Sequence, residues 1–301
     1  MKVVILGKGA MLANLIRGAL LANAEIVGVF RYEQLIYSPI RLFLHDFFYP
    51  STVTTLIKNH KLYDISCKSA NSEEFKKIIL KLNPDVILVG TWREKIKKEI
   101  INLPPLGMIN VHPSLLPKYR GPNPYIQTIW HREKKSGVTF HLMSEKFDEG
   151  AILAQGKVDI LEGDTSKELK NKTVFLARIL CAELLEKLKL GFVVPVPQDE
   201  SKATYYGNVK PEDMTLDFLS ETAEEIYAHV RAFYPFLPTY IQYNNDFYIT
   251  NPYKAAITDD CVEPGSIRAA GKNSLLVAAK DGIVIRFDEV KKYSRFKKFN
   301  I

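Results

Sequence analysis

Asn110 and His112 stand two residues apart, just after a short apolar run, Gly107-Met108-Ile109; Asp148 follows in the turn Asp148-Glu149-Gly150. On an extended chain, side chains at i and i+2 share a face, so the amide and the imidazole can enter one pocket. An amide is a neutral donor, and an imidazole is a donor or proton carrier near neutral pH. A carboxylate beside the imidazole would fix its tautomer. No activated nucleophile, metal cage or phosphate loop accompanies these groups. A donor pair plus a carboxylate suits attack on a carbonyl by an external nucleophile. The amide and imidazole would hold the developing oxyanion, and the His–Asp pair would manage the proton.

The surrounding chain supplies elements able to place such groups. Residues 2–7 and 26–30 read as buried strands, with a helix over about 11–21 between them. A helix over 73–82 ends at Asn83-Pro84-Asp85, and the apolar strand 86–89 follows. A helix at about 94–102 then leads to the strand ending at Asn110. Alternating strands and helices predict an α/β fold, a parallel-rich sheet with helices on both faces. Ligands of such sheets sit at the carboxyl ends of the strands, where Asn110 falls. Farther on, 151–160 reads as strand and 165–189 as a long helix.

Gly7-x-Gly9 after the first strand invites comparison with a dinucleotide fingerprint. The third glycine position holds Leu12, and the second strand ends on Arg31 where a ribose-binding acid is needed. A tight strand-to-helix turn is the better reading.

The chain has 301 residues, 47% hydrophobic and 25% charged, which suits two soluble domains. No signal peptide and no membrane-length apolar run is visible, so a cytoplasmic protein is expected. Cys67, Cys181 and Cys261 form no pair with metal or disulfide spacing, and the six His are scattered. Reduced thiols and no metal are expected. The net charge is +7; residues 202–301 hold 13 basic and 13 acidic side chains, so the excess lies upstream. That balance permits an anionic partner. Lys291, Lys292, Arg295, Lys297 and Lys298 cluster at the end, as a solvated terminus or a binding arm.

The string Asn110-x-His112, Ser114-Leu115-Leu116-Pro117-x-Tyr119-Arg120-Gly121, with Asp148 36 residues after the His, resembles the signature of the 10-formyltetrahydrofolate-dependent formyltransferases. That family includes methionyl-tRNA, glycinamide ribonucleotide and sugar-nucleotide formyltransferases. The stretch 136–141, leading to Phe147-Asp148-Glu149-Gly150, and later segments at 202–205, 230–235 and 263–267 extend the likeness over nearly the whole chain.

The resemblance implies a Rossmann-like formyltransferase domain over 1–192, a linker over 193–210 and a small C-terminal OB-like β-barrel over 211–301. A helix at about 219–232 and strands at 240–250, 265–269, 274–278 and 282–287 agree with the last. It further implies catalysis by Asn110, His112 and Asp148, and 10-formyltetrahydrofolate held by Gly90, Thr91, Trp92, Ser114, Leu115, Leu116, Pro117 and Thr139. Lys118 and Arg120 would face the acceptor and meet a phosphate.

The acceptor implied by length and layout is the amino group of methionyl-tRNA. Two departures keep an amino-sugar nucleotide as the alternative: Gly7-Lys8-Gly9-Ala10-Met11 at the start, and no basic glycine-rich insertion after the second strand. Residues 31–50 instead carry Tyr32, Tyr37, Phe43, Phe47, Phe48 and Tyr49. These aromatics either pack against the sheet or line an acceptor pocket. A non-catalytic RNA-binding relative is disfavoured because the whole triad is present.

Overall fold

Strand β1 (Lys2–Gly7) buries every residue from Val3 to Gly7, because helices cover both of its faces. The computed structural model describes residues 1–293. Around β1 the chain builds α1 (Gly9–Leu21), β2 (Glu25–Arg31), α2 (Pro39–Phe48), α3 (Thr52–Asn59), α4 (Glu73–Leu82), β3 (Val86–Gly90), α5 (Lys98–Ile101) and β4 (Met108–His112). After α6 (Pro124–Trp130) come β5 (Lys135–Leu142), β6 (Ile152–Asp159) and the long α7 (Ser166–Lys189).

The six strands form one sheet in the order β2-β1-β3-β4-β5-β6. β2, β1, β3 and β4 run parallel, and β5 pairs antiparallel with β4. Alternate residues serve opposite faces, as strand geometry requires. Val3, Ile5, Leu88, Ile109 and Val111 pack with α1 and α7. Val4, Leu6, Ile87, Val89 and Met108 pack with α4 and α5. Asn110 and His112 continue the second set, past the end of its apolar packing.

The Gly7 turn has a steric cause. A Cβ on Gly7 would lie 2.3 Å from the Gly90 carbonyl oxygen, so β1 and β3 could not approach as they do. This accounts for the glycine without a dinucleotide.

The helix expected over 94–102 is only Lys98–Ile101. Residues 91–97 form an anchored loop: Glu94 accepts from Ser69, from the Ala70 amide at 3.0 Å and from Asn71 at 3.1 Å. Asn71 in turn accepts from the Lys97 amide at 2.7 Å. The aromatic stretch folds into a short turn at Tyr32–Leu35 and into α2, capped by Ser38; α3 follows it, capped by Ser51. Arg31 ties α2 to the sheet through Asp46 at 2.6 Å and also reaches Asp64, beyond α3, at 2.5 Å. Packing of all these aromatics against the sheet is overturned. Phe43, Phe47, Phe48 and Tyr49 are 65–75% exposed, because Arg31 and Asp46 carry the attachment instead.

By its contacts the chain divides into two units. The first comprises Met1–Gly121, Gly137–Val158 and Asn171–Tyr205; the second comprises Pro122–Ser136, Asp159–Lys170 and the chain from Tyr206 onward. In the second unit, α8 (Ala223–Phe233) starts at a complete capping box, Thr222 with Glu225, four residues later than expected. Trp130 of α6 stacks on His229 of α8, with ring centroids 4.5 Å apart.

Among the described residues seven strands follow: β7 (Tyr240–Tyr243), β8 (Asp246–Ile249), β9 (Ala255–Cys261), β10 (Ile267–Ala269), β11 (Leu275–Ala278), β12 (Ile283–Phe287) and β13 (Lys291–Tyr293). β10-β11-β12-β9 form one antiparallel sheet and β13-β8-β7 another. Their apolar residues share a core with Ile226 and Val230 of α8. The antiparallel, strand-rich C-terminal third expected from the sequence is present among the described residues, with β9 and β13 as added strands. Lys291 and Lys292 lie in β13; Arg295, Lys297 and Lys298 lie outside the described residues.

Candidate active site

At the carboxyl end of β4, Asn110 sits directly opposite His141 of β5, and His112 opposite Thr139. Residues opposite each other in an antiparallel pair present side chains to the same face. Asn110 Nδ2 lies 3.1 Å from His141 Nε2 and 3.4 Å from Asp148 Oδ1. His112 Nδ1 lies 3.4 Å from the same carboxylate oxygen, and His141 Nε2 lies 3.7 Å from it. The Gly121 amide donates to Asp148 Oδ2 at 3.0 Å. The three groups expected to cooperate therefore converge, and His141 joins them.

Hydrogen bonding fixes the tautomers. His112 Nε2 donates to the Tyr119 carbonyl at 2.8 Å, which leaves Nδ1 as the atom that meets Asp148. His141 Nδ1 donates to the Leu142 carbonyl at 2.9 Å, so its Nε2 accepts from Asn110. Burial pushes the His141 imidazole down to about 4, against the opposing pull of the Asp148 carboxylate. A neutral His141 orients the Asn110 amide. The second N–H of that amide, on the longer contact to Asp148, is the one a substrate oxygen can recruit.

The loops around this centre are strained. Thr91, Tyr119 and Asp148 have φ of 61°, 60° and 57°. The left-handed region costs an L-residue roughly 1–2 kcal/mol, and surrounding contacts must hold it there. Gly150 is required beside Asp148, since a Cβ there would meet the Leu142 carbonyl oxygen at 1.7 Å.

Each residue expected to hold the cosubstrate has a definite place. Gly90 ends β3, and Thr91 is exposed just beyond it. Trp92 packs edge-on against Tyr32, with centroids 5.1 Å apart, and against Phe30 at 5.2 Å. Its indole nitrogen is buried with no protein partner. Leu115 and Pro117 are partly exposed, and the Leu116–Pro117 bond is cis.

Thr139 and Ser114 have a different place from the one expected. Both are fully buried. The Thr139 hydroxyl donates to the Ser114 carbonyl at 2.7 Å and accepts from the Leu116 amide at 3.2 Å and Gln155 at 2.8 Å. A hydroxyl offers one donor and two acceptor sites, so Thr139 is saturated and supports the 114–117 loop from below. Ser114 donates to the Lys118 carbonyl at 2.8 Å.

Lys118 is exposed, as an acceptor contact requires. Arg120 is buried. Its guanidinium meets Glu200 at 2.7 and 2.9 Å and the Gln198 side-chain oxygen at 2.8 and 3.2 Å. The Arg120 guanidinium holds the Glu200 carboxyl below the usual carboxylate range. Its charge is thus paired with Glu200 within the protein, where the expectation set it against a phosphate of the acceptor. His141 and Gln198 carried no role in the sequence reading. Strand register alone could have found His141; nothing local marks Gln198.

A parallel-rich sheet with an amide, an imidazole and a carboxylate gathered at its carboxyl end defines a Rossmann-like enzyme built for transfer of a carbonyl group. The chain belongs to the formyl transferase family: the family's main domain matches residues 1–185, and its C-terminal domain matches 208–297. It is a formyltransferase. The chain is 31% identical to the methionyl-tRNA formyltransferase of Kosmotoga olearia over 94% of this chain and 90% of that one. With the methionyl-tRNA formyltransferase of Geobacillus thermodenitrificans it shares 33% identity over 74% and 69%. The N-formyltransferase from Helicobacter canadensis, solved with folinic acid and dTDP-3-aminofucose, has a similar fold. Its TM-score is 0.71 over 97% of this chain and 100% of that one, at 18% identity. Among the described residues no helix can cross a membrane and no His/Cys/Asp/Glu group could hold a metal.

Proposed function

We propose that this protein transfers the formyl group of 10-formyltetrahydrofolate to the amino group of methionyl-tRNA. The convergence of Asn110 and His112 on one carboxylate oxygen of Asp148 carries the chemistry. The acceptor rests on likeness to methionyl-tRNA formyltransferases across both domains. The neutral amine attacks the formyl carbon, forming a C–N bond. The resulting oxyanion is held by the Asn110 amide; Nδ1 of His112, whose Nε2–H is committed to Tyr119, takes the ammonium proton and can then donate it toward that oxygen. The ammonium proton leaves toward the His112–Asp148 pair, and the bond to the folate nitrogen breaks as that nitrogen regains a proton. Tetrahydrofolate departs.

The exposed backbone at Thr91, the wall of Trp92 and the loop 115–117 are the surfaces we assign to the folate, with Ser114 and Thr139 supporting them. Lys118 is the acceptor-facing charge. We divide the chain functionally at 193–210; the first family match ends at residue 185 and the second begins at residue 208. Residues 1–192 carry the chemistry and 211–301 the C-terminal module. The substrates place the reaction in the cytoplasm.

The test is a transfer assay with 10-formyltetrahydrofolate, comparing methionyl-tRNA with a panel of amino-sugar nucleotides. Formylated methionyl-tRNA is the expected product. Transfer to an amino sugar with none to methionyl-tRNA would assign the other acceptor.

A further inference from the structure

From Val194 to Glu200 the chain is exposed at every residue but one, Gln198. This segment does not pass the site by. Val196 exchanges backbone hydrogen bonds with Ile152 at 2.8 and 2.9 Å, which aligns the chain beside the start of β6. Two residues on, Gln198 Nε2 donates to the Asp148 carbonyl at 2.7 Å and to the Gly150 carbonyl at 2.8 Å. Its Oε1 accepts from Arg120 at 2.8 and 3.2 Å, which leaves the amide no alternative orientation. Glu200 closes on the same guanidinium. Farther along, Thr204 accepts from the Tyr119 amide at 2.8 Å through its hydroxyl and from the Arg120 amide at 2.9 Å through its carbonyl.

These contacts meet the two loops that need restraint. Asp148 sits at φ 57° and Tyr119 at φ 60°. The Tyr119 carbonyl fixes the His112 tautomer, and the Asp148 carboxylate meets Asn110 and His112. An unsupported left-handed Asp relaxes toward ordinary backbone and carries its carboxylate away from the site. We infer that Gln198, clamped by Arg120 and Glu200, is a positioning residue that holds the Asp148 loop in its working conformation. It touches no reacting atom; it acts through Asp148. The inference rests on the formyl-transfer reading for its kinetic arm alone.

The experiment uses the full chain carrying Gln198→Met, which keeps side-chain length and removes the two donors. Expected is a fall in kcat of about 10–100-fold with KM for 10-formyltetrahydrofolate and acceptor within about twofold, since positioning affects the transition state more than ground-state binding. In an Asp148→Ala background the same change should lower kcat no further, because the two residues act as a unit. Backbone hydrogen exchange over residues 142–152 should quicken about tenfold, with α1 and α4 unchanged. Wild-type kcat in folded Gln198→Met, an equal fall in both backgrounds, or unaltered exchange at 142–152 would each overturn the inference. If Gln198→Met does not fold, Gln198→Glu keeps the Arg120 pairing and sets a carboxylate oxygen against the two carbonyls. Normal kcat in that variant overturns the inference equally. The exchange measurement needs no acceptor. A wild-type enzyme inactive on methionyl-tRNA would therefore sink the functional reading and leave the clamp to be judged by exchange.

Discussion

At the scale of single residues, the centre depends on hydrogen bonds that fix which atom faces the substrate. Replacing Asn110 or His112 by Ala should lower turnover by about 10²–10³, the size of losing an oxyanion donor or proton carrier. Folate binding should change little; steady-state kinetics and folate titration separate the two, and near-normal turnover in folded variants would sink the mechanism. His141 makes a prediction about stability. Its imidazole is held neutral by burial, with a folded value of about 4 against 6.5 for an ordinary His. The unfolded chain therefore takes up the proton first as pH falls. The contribution of a neutral His141 is complete above pH 6.5, declines on acidification, and is lost by about pH 4. The slope cannot exceed about 1.4 kcal/mol per pH unit for one proton. Urea unfolding at stepped pH should show this decline in the wild type and a shallower one in His141→Gln; identical slopes would count against it.

At the scale of elements, caps and attachment points decide more than hydrophobic content. Helix α8 begins where Thr222 and Glu225 satisfy each other's backbone donors. Thr222→Ala should destabilise the protein by about 1 kcal/mol, read as a lowered melting temperature. The aromatic face of α2 behaves oppositely. Phe43 and Phe47 are 67% and 70% exposed and stack on each other, with centroids 6.4 Å apart. The double change to Ser should leave stability within about 0.5 kcal/mol, since little burial is lost. A large drop in melting temperature would show that the helix is attached through its aromatics and not through Asp46. The sequence marked this stretch as unusual but gave no strand or helix for it. Its hydrophobic pattern does not announce a buried face, because Leu42 is buried while the aromatics around it are exposed.

At the scale of the whole molecule, charge is the property that bears on the acceptor. The net charge is +7, and the C-terminal third is balanced. Each Lys or Arg contact to a phosphate releases counterions, so affinity for methionyl-tRNA should fall steeply with salt. Lys118→Glu should weaken binding and reduce the salt slope by about 1 or more. Arg120 is unsuited to that test, because it is itself buried and reversing it would break its pairing with Glu200. An amino-sugar nucleotide has few phosphates and should bind with little salt dependence. Binding curves from low to moderate salt distinguish the two. Thermal-shift titration with NADP should give no stabilisation, since the Gly7 turn is filled by strand contact.

The amino-acid sequence by itself determined the chemistry and the scaffold that carries it. Asn110 and His112 share a face because strand periodicity is local, and the spacing to Asp148 and the loop 114–121 are written along the chain. The strands β1, β3 and β4 are legible for the same reason: each is a short apolar run with both faces covered. Tertiary structure alone decided what surrounds those residues. His141 faces Asn110 because of antiparallel register across 31 residues of chain. Arg120 is neutralised by Glu200, 80 residues away, and Gln198 reaches the Asp148 loop across 50. Such contacts depend on where the chain returns after α7, and no local pattern encodes that return. The folded chain commits the polar side-chain atoms of Thr139, Ser114 and Arg120 to partners within the protein. A side chain's type says what it can bond, whereas only the folded chain sets which of its atoms remain for a substrate.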